Sequence, residues 1–298
     1  MHLSFVTSNI LHQVLDKEIN IVYNPVSNIF DKILFATGNN FFVFGDYNPH
    51  SENCVSYSNE YIDLRNYDLY LHTGIATSNT STIPLTLHAN MVIFEHNFRD
   101  ANLKKEDLAI LNQRTQKYKK IFFNEQHQNS WGLTNSTTIN YGIPEIFKSD
   151  IDYKERKNIL INSKKNPQAA DQLKDHLESQ GLICGLLDDR QSLDQMNVQL
   201  NNYQILINLD DDHLLNLIAA QCGCYVQRVS NNPEDIPNNF KYNDIPSLVQ
   251  DVPNIITKED NNLDSINKYI DEKHNFNLFK IKISDIIESS AKREAFIL

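Results

Sequence analysis

The sequence predicts an α/β fold with two similar halves that face each other across a cleft, followed by a helical tail. Three observations predict it. Strand-like and helix-like segments alternate in each half, most strand-like segments end on polar or small residues, and a short charged segment near residue 150 separates the halves. Such alternation calls for mostly parallel sheets, in which ligands bind at the carboxyl ends of the strands. With 298 residues the chain is long enough for two domains.

The first half begins with an irregular stretch and then alternates strands with helices. Apolar runs that stop on turn residues, such as residues 41–44 before Gly45, are typical of buried strands. Leu108 and Leu111 lie about one helical turn apart and indicate an amphipathic helix. The predicted strands are residues 41–44, 67–72, 91–94, 121–123 and 138–141, and the predicted helices are residues 81–88 and 105–117.

A linker is predicted between the halves, because residues 144–157 are rich in charge and lose the apolar periodicity. We therefore expect an N-terminal domain at residues 1–147 and a C-terminal domain at residues 148–298.

The second half shows the alternation more clearly. Asn166 is a good helix cap and Pro167 suits the first helical position, so the strand at residues 159–165 runs into a helix that ends at Gly181. The further strands are expected at residues 182–187, 204–209 and 225–229, with helices at residues 193–200 and 213–222 between them. The tail regains helical periodicity at residues 263–270 and 283–296.

The composition narrows the functional classes. The formal net charge of −11 disfavours nucleic acid as a partner, although a local basic groove is compatible with that charge. The sequence contains neither a basic leader nor a run of about 18 apolar residues, so a cytoplasmic protein without a transmembrane segment is expected. Four cysteines suit a reducing compartment, and Cys222 and Cys224 lack the second pair that a zinc site needs.

Positive charge gathers where the strand at residues 159–165 meets the following helix. Lys164 and Lys165 lie near the positive end of that helix dipole, where a diphosphate would meet backbone amides and ammonium groups together. A solvated pair of surface lysines is the alternative.

Three aspartates and a histidine, residues 210–213, end another strand and begin a helix. Capping explains one or two of the carboxylates. Because carboxylates would repel a phosphate, we assign Asp210, Asp212 and His213 to the sugar side of a donor. A metal cluster is the alternative, but adjacent carboxylates rarely converge on one ion, and no metal is expected.

A catalytic base is expected at a strand end of the first half. His96 follows the strand at residues 91–94, and a histidine there can take up a proton near neutral pH, with Asp100 as the rival base. A role in fixing the loop is the alternative for His96, since His72 and His127 occupy comparable positions.

Polar side chains near the single tryptophan, Trp131, suit a carbohydrate acceptor, whose hydroxyls form hydrogen bonds while its CH face stacks on an aromatic ring. We assign Glu95, Asn124, Gln126 and His127 to acceptor binding. The alternative is a helix capped by Asn124 with Trp131 in the core.

Three segments resemble the two-domain, metal-independent nucleotide-sugar glycosyltransferases of the GT-B fold. Residues 122–131 with residues 139–144 resemble the last strands of the acceptor domain. Residues 159–166 resemble the first strand of the donor domain with its phosphate-facing loop, and residues 214–226 resemble the donor-site helix with its small-residue turn. The resemblance implies two Rossmann-like domains and transfer of a sugar from a nucleoside diphosphate to a glycan, lipid-linked or protein acceptor.

The resemblance also implies roles for individual residues. His96 would meet the acceptor hydroxyl, and the nucleotide sugar would serve as co-substrate without a cofactor. The residues implied for donor binding are Ser163, Lys164 and Lys165 at the phosphates, Gly223 at a close backbone approach, and Asp188 and Asp189 at the base or ribose.

Two other functions stay open. A sugar-nucleotide epimerase would share the architecture and the phosphate chemistry. A non-catalytic sugar- or nucleotide-binding partner subunit fits one departure from the resemblance, since Ile218 stands where many retaining members have a glutamate. The fold alone does not choose among these functions.

Overall fold

The structure is a computed structural model that describes residues 21–24, 28–39, 41–43, 54–55, 68–73, 90–95, 105–164, 166–188, 191–210, 212–229, 236–258 and 262–291. The chain divides into two compact units. The first comprises residues 1–141 and 277–298, and the second comprises residues 142–276.

The first unit contains a seven-stranded sheet in which every described pairing is parallel. The order across the sheet is β3-β2-β1-β4-β5-β6-β7. All of its strands therefore end at one edge. The strands are β1 (Ile21–Asn24), β2 (Phe41–Val43), β3 (Cys54–Val55), β4 (Leu69–Thr73), β5 (Met91–Glu95), β6 (Lys119–Phe122) and β7 (Ser136–Thr138), and the helices are α1 (Asn28–Phe35), α2 (Lys105–Thr115) and α3 (Glu125–Trp131).

Aromatic side chains fill part of the core of the first unit. Every residue of β5 is buried, as expected for a parallel strand that is covered on both faces. Phe123, just after β6, stacks on Tyr141 with ring centroids 4.7 Å apart, and Phe30 of α1 meets Phe123 edge to face at 4.9 Å. Phe279, from the helix near the C-terminus, lies 6.4 Å from Phe123. This contact joins the C-terminal helix to the first unit.

The second unit contains a five-stranded parallel sheet in the order β12-β11-β10-β8-β9. Its strands are β8 (Lys157–Asn162), β9 (Cys184–Leu186), β10 (Tyr203–Asn208), β11 (Tyr225–Val229) and β12 (Asn239–Tyr242). The helices are α4 (Pro167–Ser179), α5 (Leu193–Asn201), α6 (His213–Gln221), α7 (Ile245–Ile256) and α8 (Leu263–Lys273), after which α9 (Phe276–Ala291) leads into the first unit.

Local sequence explains where the helices of the second unit begin. Asn166, Ser192, Asp212 and Asp244 each accept a hydrogen bond from the backbone N–H three residues onward and so cap α4 to α7. The apolar stripe of α4 includes Leu173, which packs into one core with residues of β8, β10 and α7. A helix of this length is only marginally stable by itself in water, so burial of the apolar stripe provides most of the stability of α4.

The charged segment before β8, residues 144–156, forms hydrogen bonds with other parts of the second unit. The buried guanidinium of Arg156 donates from Nη1 to the carbonyl of Cys222 at 2.8 Å and from Nη2 to Ser149 Oγ at 2.7 Å. Asn201 Oδ1 accepts from the N–H of Asp150 at 2.8 Å. The segment predicted as a linker is therefore an ordered part of the second unit, and the boundary between the units falls at residues 141 and 142.

Several elements differ from the sequence prediction. The predicted irregular opening contains β1 and α1, and the stretch after β11 contains β12 and α7, which the prediction lacked. The predicted C-terminal domain included all residues to 298, whereas residues 277–298 group with the first unit, because α9 packs there through Phe279. The helix predicted at residues 81–88 lies outside the described residues.

None of the helices in the described part of the chain is both long and apolar enough to cross a bilayer.

Candidate functional site

The strand order of the second sheet indicates where a ligand would bind. From β8 the chain passes through α4 to β9 on one side, and then through α5 to β10 on the other side of β8. The connections that follow β8 and β10 therefore leave in opposite directions, and in open α/β sheets ligands bind outside the carboxyl ends of such a strand pair. Two loops lie there: the first loop, residues 163–166, and the second loop, residues 209–212.

The first loop turns tightly into α4. Ser163 Oγ donates to the carbonyl of Asn166 at 3.0 Å and accepts from the N–H of Asn166 at 3.3 Å. Asn166 Oδ1 accepts from the N–H of Ala169 at 3.1 Å and caps the helix. Lys164 is exposed and lies two residues before the cap Asn166, near the positive end of the α4 dipole. The predicted partner Lys165 lies outside the described residues.

The second loop carries two carboxylates that are both engaged by backbone N–H groups. Asp210 Oδ2 accepts from the N–H of Lys164 at 2.5 Å and so joins the two loops. Asp212 Oδ1 accepts from the N–H of Leu215 at 3.2 Å and caps α6. The capping interpretation is thus confirmed for Asp212. Asp211 lies outside the described residues.

Burial sets the charge states at the start of α6. Desolvation raises the pKa of Asp212, and the nearby charge of Lys164 partly opposes that rise. Desolvation, together with the charges of His274 and Arg228, lowers the pKa of His213 to about 3. Although His213 as a residue is only partly buried, its two ring nitrogens are covered. At pH 7 its ring is therefore neutral.

A chain of buried side-chain amides supports the second loop. Asn162, the last residue of β8, donates from Nδ2 to Asn208 Oδ1 at 2.8 Å, and Asn208 is the last residue of β10. Asn208 Nδ2 donates to Asn216 Oδ1 at 2.7 Å. All three amides are buried, with exposures of 2%, 0% and 0%. None of the three was predicted from the sequence to belong to the site.

The sequence does carry a signal for this pair. The tetrapeptide Ile-Leu-Ile-Asn occurs at residues 159–162 and again at residues 205–208, and the two copies lie side by side in register, with Asn208 opposite Asn162. An amide at the end of an apolar strand is a buried polar group and needs a partner. Because the two copies are in register, each asparagine is the partner of the other.

Arg228 adds a buried positive charge at the same edge of the sheet. It lies on β11 opposite Asn208 in the register and is 2% exposed. Its charge is one of those that lower the pKa of His213. From the sequence, Arg228 was predicted only to be part of a strand.

Gly223 does not lie at this edge, contrary to the prediction. It has a φ of 86° in the turn after α6, and its N–H donates to the carbonyl of Ala220. Because α6 runs back along the sheet before β11 begins, that turn lies at the amino end of the strands. Asp188 is exposed after the carboxyl end of β9, and its N–H lies 3.4 Å from Gln199 Oε1. Asp189 lies outside the described residues.

The candidate acceptor residues end β5 and begin α3, which follows β6 in the first unit. Glu95 is buried at 2% exposure and lies opposite Phe122 in the register. Asn124 Oδ1 accepts from the N–H of His127 at 3.0 Å and caps α3, and Gln126 is exposed. The predicted bases, His96 and Asp100, lie outside the described residues.

His127 is a core residue, so its assignment to acceptor binding needs correction. It is 1% exposed and meets Phe122 and Trp131 edge to face, with centroids 5.1 Å and 4.6 Å away. Burial lowers its pKa to about 4. Trp131 is 4% exposed, as in the alternative interpretation of a capped helix with the tryptophan in the core.

Within the described ranges, no three His, Cys, Asp or Glu side chains stand close enough together to hold a metal ion.

Comparison with known proteins gives matches in structure. No protein-family model and no curated protein sequence matches the chain. A glycosyltransferase from Rickettsia africae ESF-5 matches with a TM-score of 0.59 and 10% identity, covering 93% of this chain and 100% of that chain. A variant of the wall teichoic acid polymerase TagF matches with a TM-score of 0.53 and 14% identity, covering 99% and 98%. A variant of S. aureus TarM, in complex with Fondaparinux, alpha-GlcNAc-glycerol and UDP, matches with a TM-score of 0.51 and 12% identity, covering 73% and 55%.

At these identities the likeness shows the fold. The chain has two Rossmann-like α/β units with C-terminal helices, in the GT-B architecture. The fold class predicted from the sequence is confirmed.

Proposed function

We propose that the chain is a glycosyltransferase that moves a sugar from a nucleoside diphosphate sugar to a glycan, lipid-linked or protein acceptor. The observation that carries the proposal is the position of Lys164, exposed at the α4 N-terminus beside the switch point of the second sheet. The architecture supports it, because the Rickettsia africae neighbour is a glycosyltransferase, TagF is a polymerase of wall teichoic acid, and TarM was solved with UDP.

The first loop is the proposed place for the diphosphate. The first N–H groups of an α-helix lack partners within the helix, and the dipole favours an anion there. Lys164 and Lys165 would add charge-assisted contacts, and Ser163 offers a hydroxyl beside them. Asp188 and Asp189, after β9, would contact the base or ribose.

The second loop is proposed to face the sugar of the donor. Asp210 and Asp212 would each accept a hydrogen bond from a sugar hydroxyl on a carboxyl oxygen, beside the bond that each already accepts from a backbone N–H. His213 is neutral there and would add no charge. Asp210 also touches the first loop through the N–H of Lys164, so its charge would oppose a diphosphate bound there.

The proposed reaction needs a base and a stabilised leaving group. His96 or Asp100 would take the proton of the acceptor hydroxyl while that oxygen attacks the anomeric carbon of the sugar. The bond from this carbon to the β-phosphate oxygen breaks, and its electron pair leaves with the nucleoside diphosphate. Lys164 and Lys165 would offset the charge that develops on the diphosphate, so the proposal requires no metal ion. We place the reaction in the cytoplasm, a compartment that suits free cysteines.

A panel of nucleoside diphosphates tests the binding step. In buffer with EDTA, at least one of UDP, GDP, CDP, ADP and dTDP should raise the melting temperature of the protein, because a ligand that binds only the native state stabilises it. The variant Lys164→Ala/Lys165→Ala should lose that shift. The matched control is Lys174→Ala/Lys268→Ala, which removes the same charge from two lysines that each pair with a glutamate four residues onward.

The control should keep the shift. Absence of a shift with every nucleotide would contradict the proposal, and an equal loss in both double variants would show that only net charge matters. Release of the nucleoside diphosphate from its sugar derivative, with or without an acceptor, separates an enzyme from a non-catalytic binding subunit.

A further inference from the structure

The side chain of Asn208 uses its full hydrogen-bonding capacity. Its Oδ1 accepts from Asn162 Nδ2 at 2.8 Å and from the N–H of Asp210 at 3.3 Å. Its Nδ2 donates to Asn216 Oδ1 at 2.7 Å and to the carbonyl of Asp212 at 3.1 Å. A primary amide offers two donors and two acceptor lone pairs, and all four are taken. Asn208 therefore holds the backbone of both Asp210 and Asp212.

Asn162 connects Asn208 to the start of the first loop. It is the last residue of β8, so its side chain fixes the point from which the first loop departs. Its own carbonyl accepts from the N–H of Leu209 at 2.9 Å. Beyond it, the N–H of Lys164 donates to Asp210, which Asn208 holds in place. Three hydrogen bonds therefore connect the two strand ends and their loops: Asn162 to Asn208, Leu209 to Asn162, and Lys164 to Asp210.

Neutral amides suit a position beneath a bound diphosphate. A buried carboxylate there would repel the phosphates, and a buried ammonium group would need its own counter-charge. An amide pair bridges the two strand ends with directional hydrogen bonds and adds no net charge. In addition, a fully satisfied buried network holds its members in one arrangement.

We propose that Asn162 and Asn208 are positioning residues that set the distance and orientation of the two loops for the nucleoside diphosphate of the donor. The inference rests on the proposed function and assigns residues that the binding site needs but that do not contact the ligand. The juxtaposition that carries it is an in-register pair of Ile-Leu-Ile-Asn strands whose terminal amides meet at the switch point.

The first test compares opposite ends of one strand. Gln204 lies at the amino end of β10, is 8% exposed, and donates from Nε2 to the carbonyl of Tyr153 at 3.1 Å. Asn208→Ala and Gln204→Ala each remove a buried amide from β10. Urea unfolding should show a loss of stability in both, and the loss should be larger for Asn208→Ala, because the Asn208 side chain makes four hydrogen bonds whereas that of Gln204 makes the one to Tyr153. Only Asn208→Ala should weaken binding of the nucleoside diphosphate, by about tenfold for the loss of loop-fixing hydrogen bonds. Titration calorimetry at 10 °C measures this with both variants folded.

The second test makes the same chemical change at two places in the amide chain. Asn162→Asp replaces the Nδ2 that donates to Asn208. Asn216→Asp keeps the oxygen that accepts from Asn208 and alters an Nδ2 that has no hydrogen-bond partner among the described residues. Both variants add one carboxyl group to the buried chain. Asn162→Asp should bind the nucleoside diphosphate at least about tenfold more weakly than Asn216→Asp does.

Steady-state kinetics distinguishes a positioning role from a loss of stability alone. In the asparagine variants the KM for the donor and the inhibition constant of the nucleoside diphosphate should rise together, while the KM for the acceptor stays unchanged. If the wild type binds a nucleoside diphosphate and Asn208→Ala binds it as well as Gln204→Ala does, the positioning role is wrong and the proposed function stands. If the wild type binds none of the nucleotides, the proposed function itself fails.

Discussion

The backbone N–H of Lys164 donates to the carboxylate of Asp210, so the residue proposed to meet the phosphates is held by a residue proposed to meet the sugar. Asp210 therefore has two opposing effects on a ligand. Its hydrogen bond shapes the first loop, whereas its negative charge repels a diphosphate.

Asp210→Asn separates these effects, because asparagine keeps an acceptor for Lys164 and removes the charge. A nucleoside diphosphate without its sugar should bind the variant about two- to fivefold more tightly, the size of an exposed charge interaction. Asp210→Ala should bind it more weakly, because the loop contact is lost. Weaker binding by both variants, measured by calorimetry at 0.1 M salt, would show that the charge itself favours the ligand.

Asp212 provides a test through the pH dependence of stability. Burial raises its pKa, so the native state holds a proton at pH values where the unfolded state has lost it. Stability from this group is present at low pH and is lost as the pH rises through the folded pKa. Asp212→Asn keeps a good cap and cannot ionise. As the pH rises from 4.5 to 8, the melting temperature of the variant should increase relative to that of the wild type. A difference that stays constant over this range would show that the pKa of Asp212 is not raised by burial.

His127 should act on stability in the opposite sense. Its pKa is lowered to about 4 by burial, so the unfolded state takes up a proton as the pH falls below about 6.5 while the native state does not. The wild type loses stability over that range. His127→Phe keeps an aromatic ring beside Phe122 and Trp131, and its stability relative to the wild type should rise from pH 7.5 to pH 5. If urea titrations show the same difference in the free energy of unfolding at both pH values, the His127 ring is exposed to water and its pKa is not lowered.

Lys120 tests the core of the first unit. Its ammonium group is buried and donates to the carbonyls of Thr115, Tyr118 and Thr134 at 2.7, 3.2 and 2.7 Å, and burial lowers its pKa to about 8. Lys120→Met would leave these carbonyls without their donor and should cost about 2–3 kcal/mol in the free energy of unfolding. Lys117→Met, at an exposed position nearby, should change it little. Equal effects would show that Lys120 is dispensable to the fold.

The second unit could be predicted largely from sequence because its helices and strands carry strong local signals. Asn166 before Pro167 marks the start of α4, and the helix ends near Gly181 as predicted. In contrast, α7 contains Pro246 and Pro253, which sequence rules take as breaks. Pro246 stands in its first turn, where proline is compatible with a helix, and buried residues such as Leu248 and Val252 hold the remainder in place.

The site was harder to predict, because strand register decides which residues meet. Lys164, Asp210 and Asp212 lie at the carboxyl ends of β8 and β10, as their positions after strands predict. Gly223 was placed at the wrong edge, since a turn after a helix lies at the amino ends of the strands. Asn162 and Asn208 look like ordinary strand residues until β8 and β10 are known to be neighbours in register.

The measurement that tests the account most directly is a crystal structure of the protein with the nucleoside diphosphate that stabilises it best. We expect the β-phosphate at the N-terminus of α4, within hydrogen-bonding distance of the backbone of the first loop and of the Lys164 ammonium group. A diphosphate bound at the amino ends of the second sheet, or on the first unit alone, would contradict it.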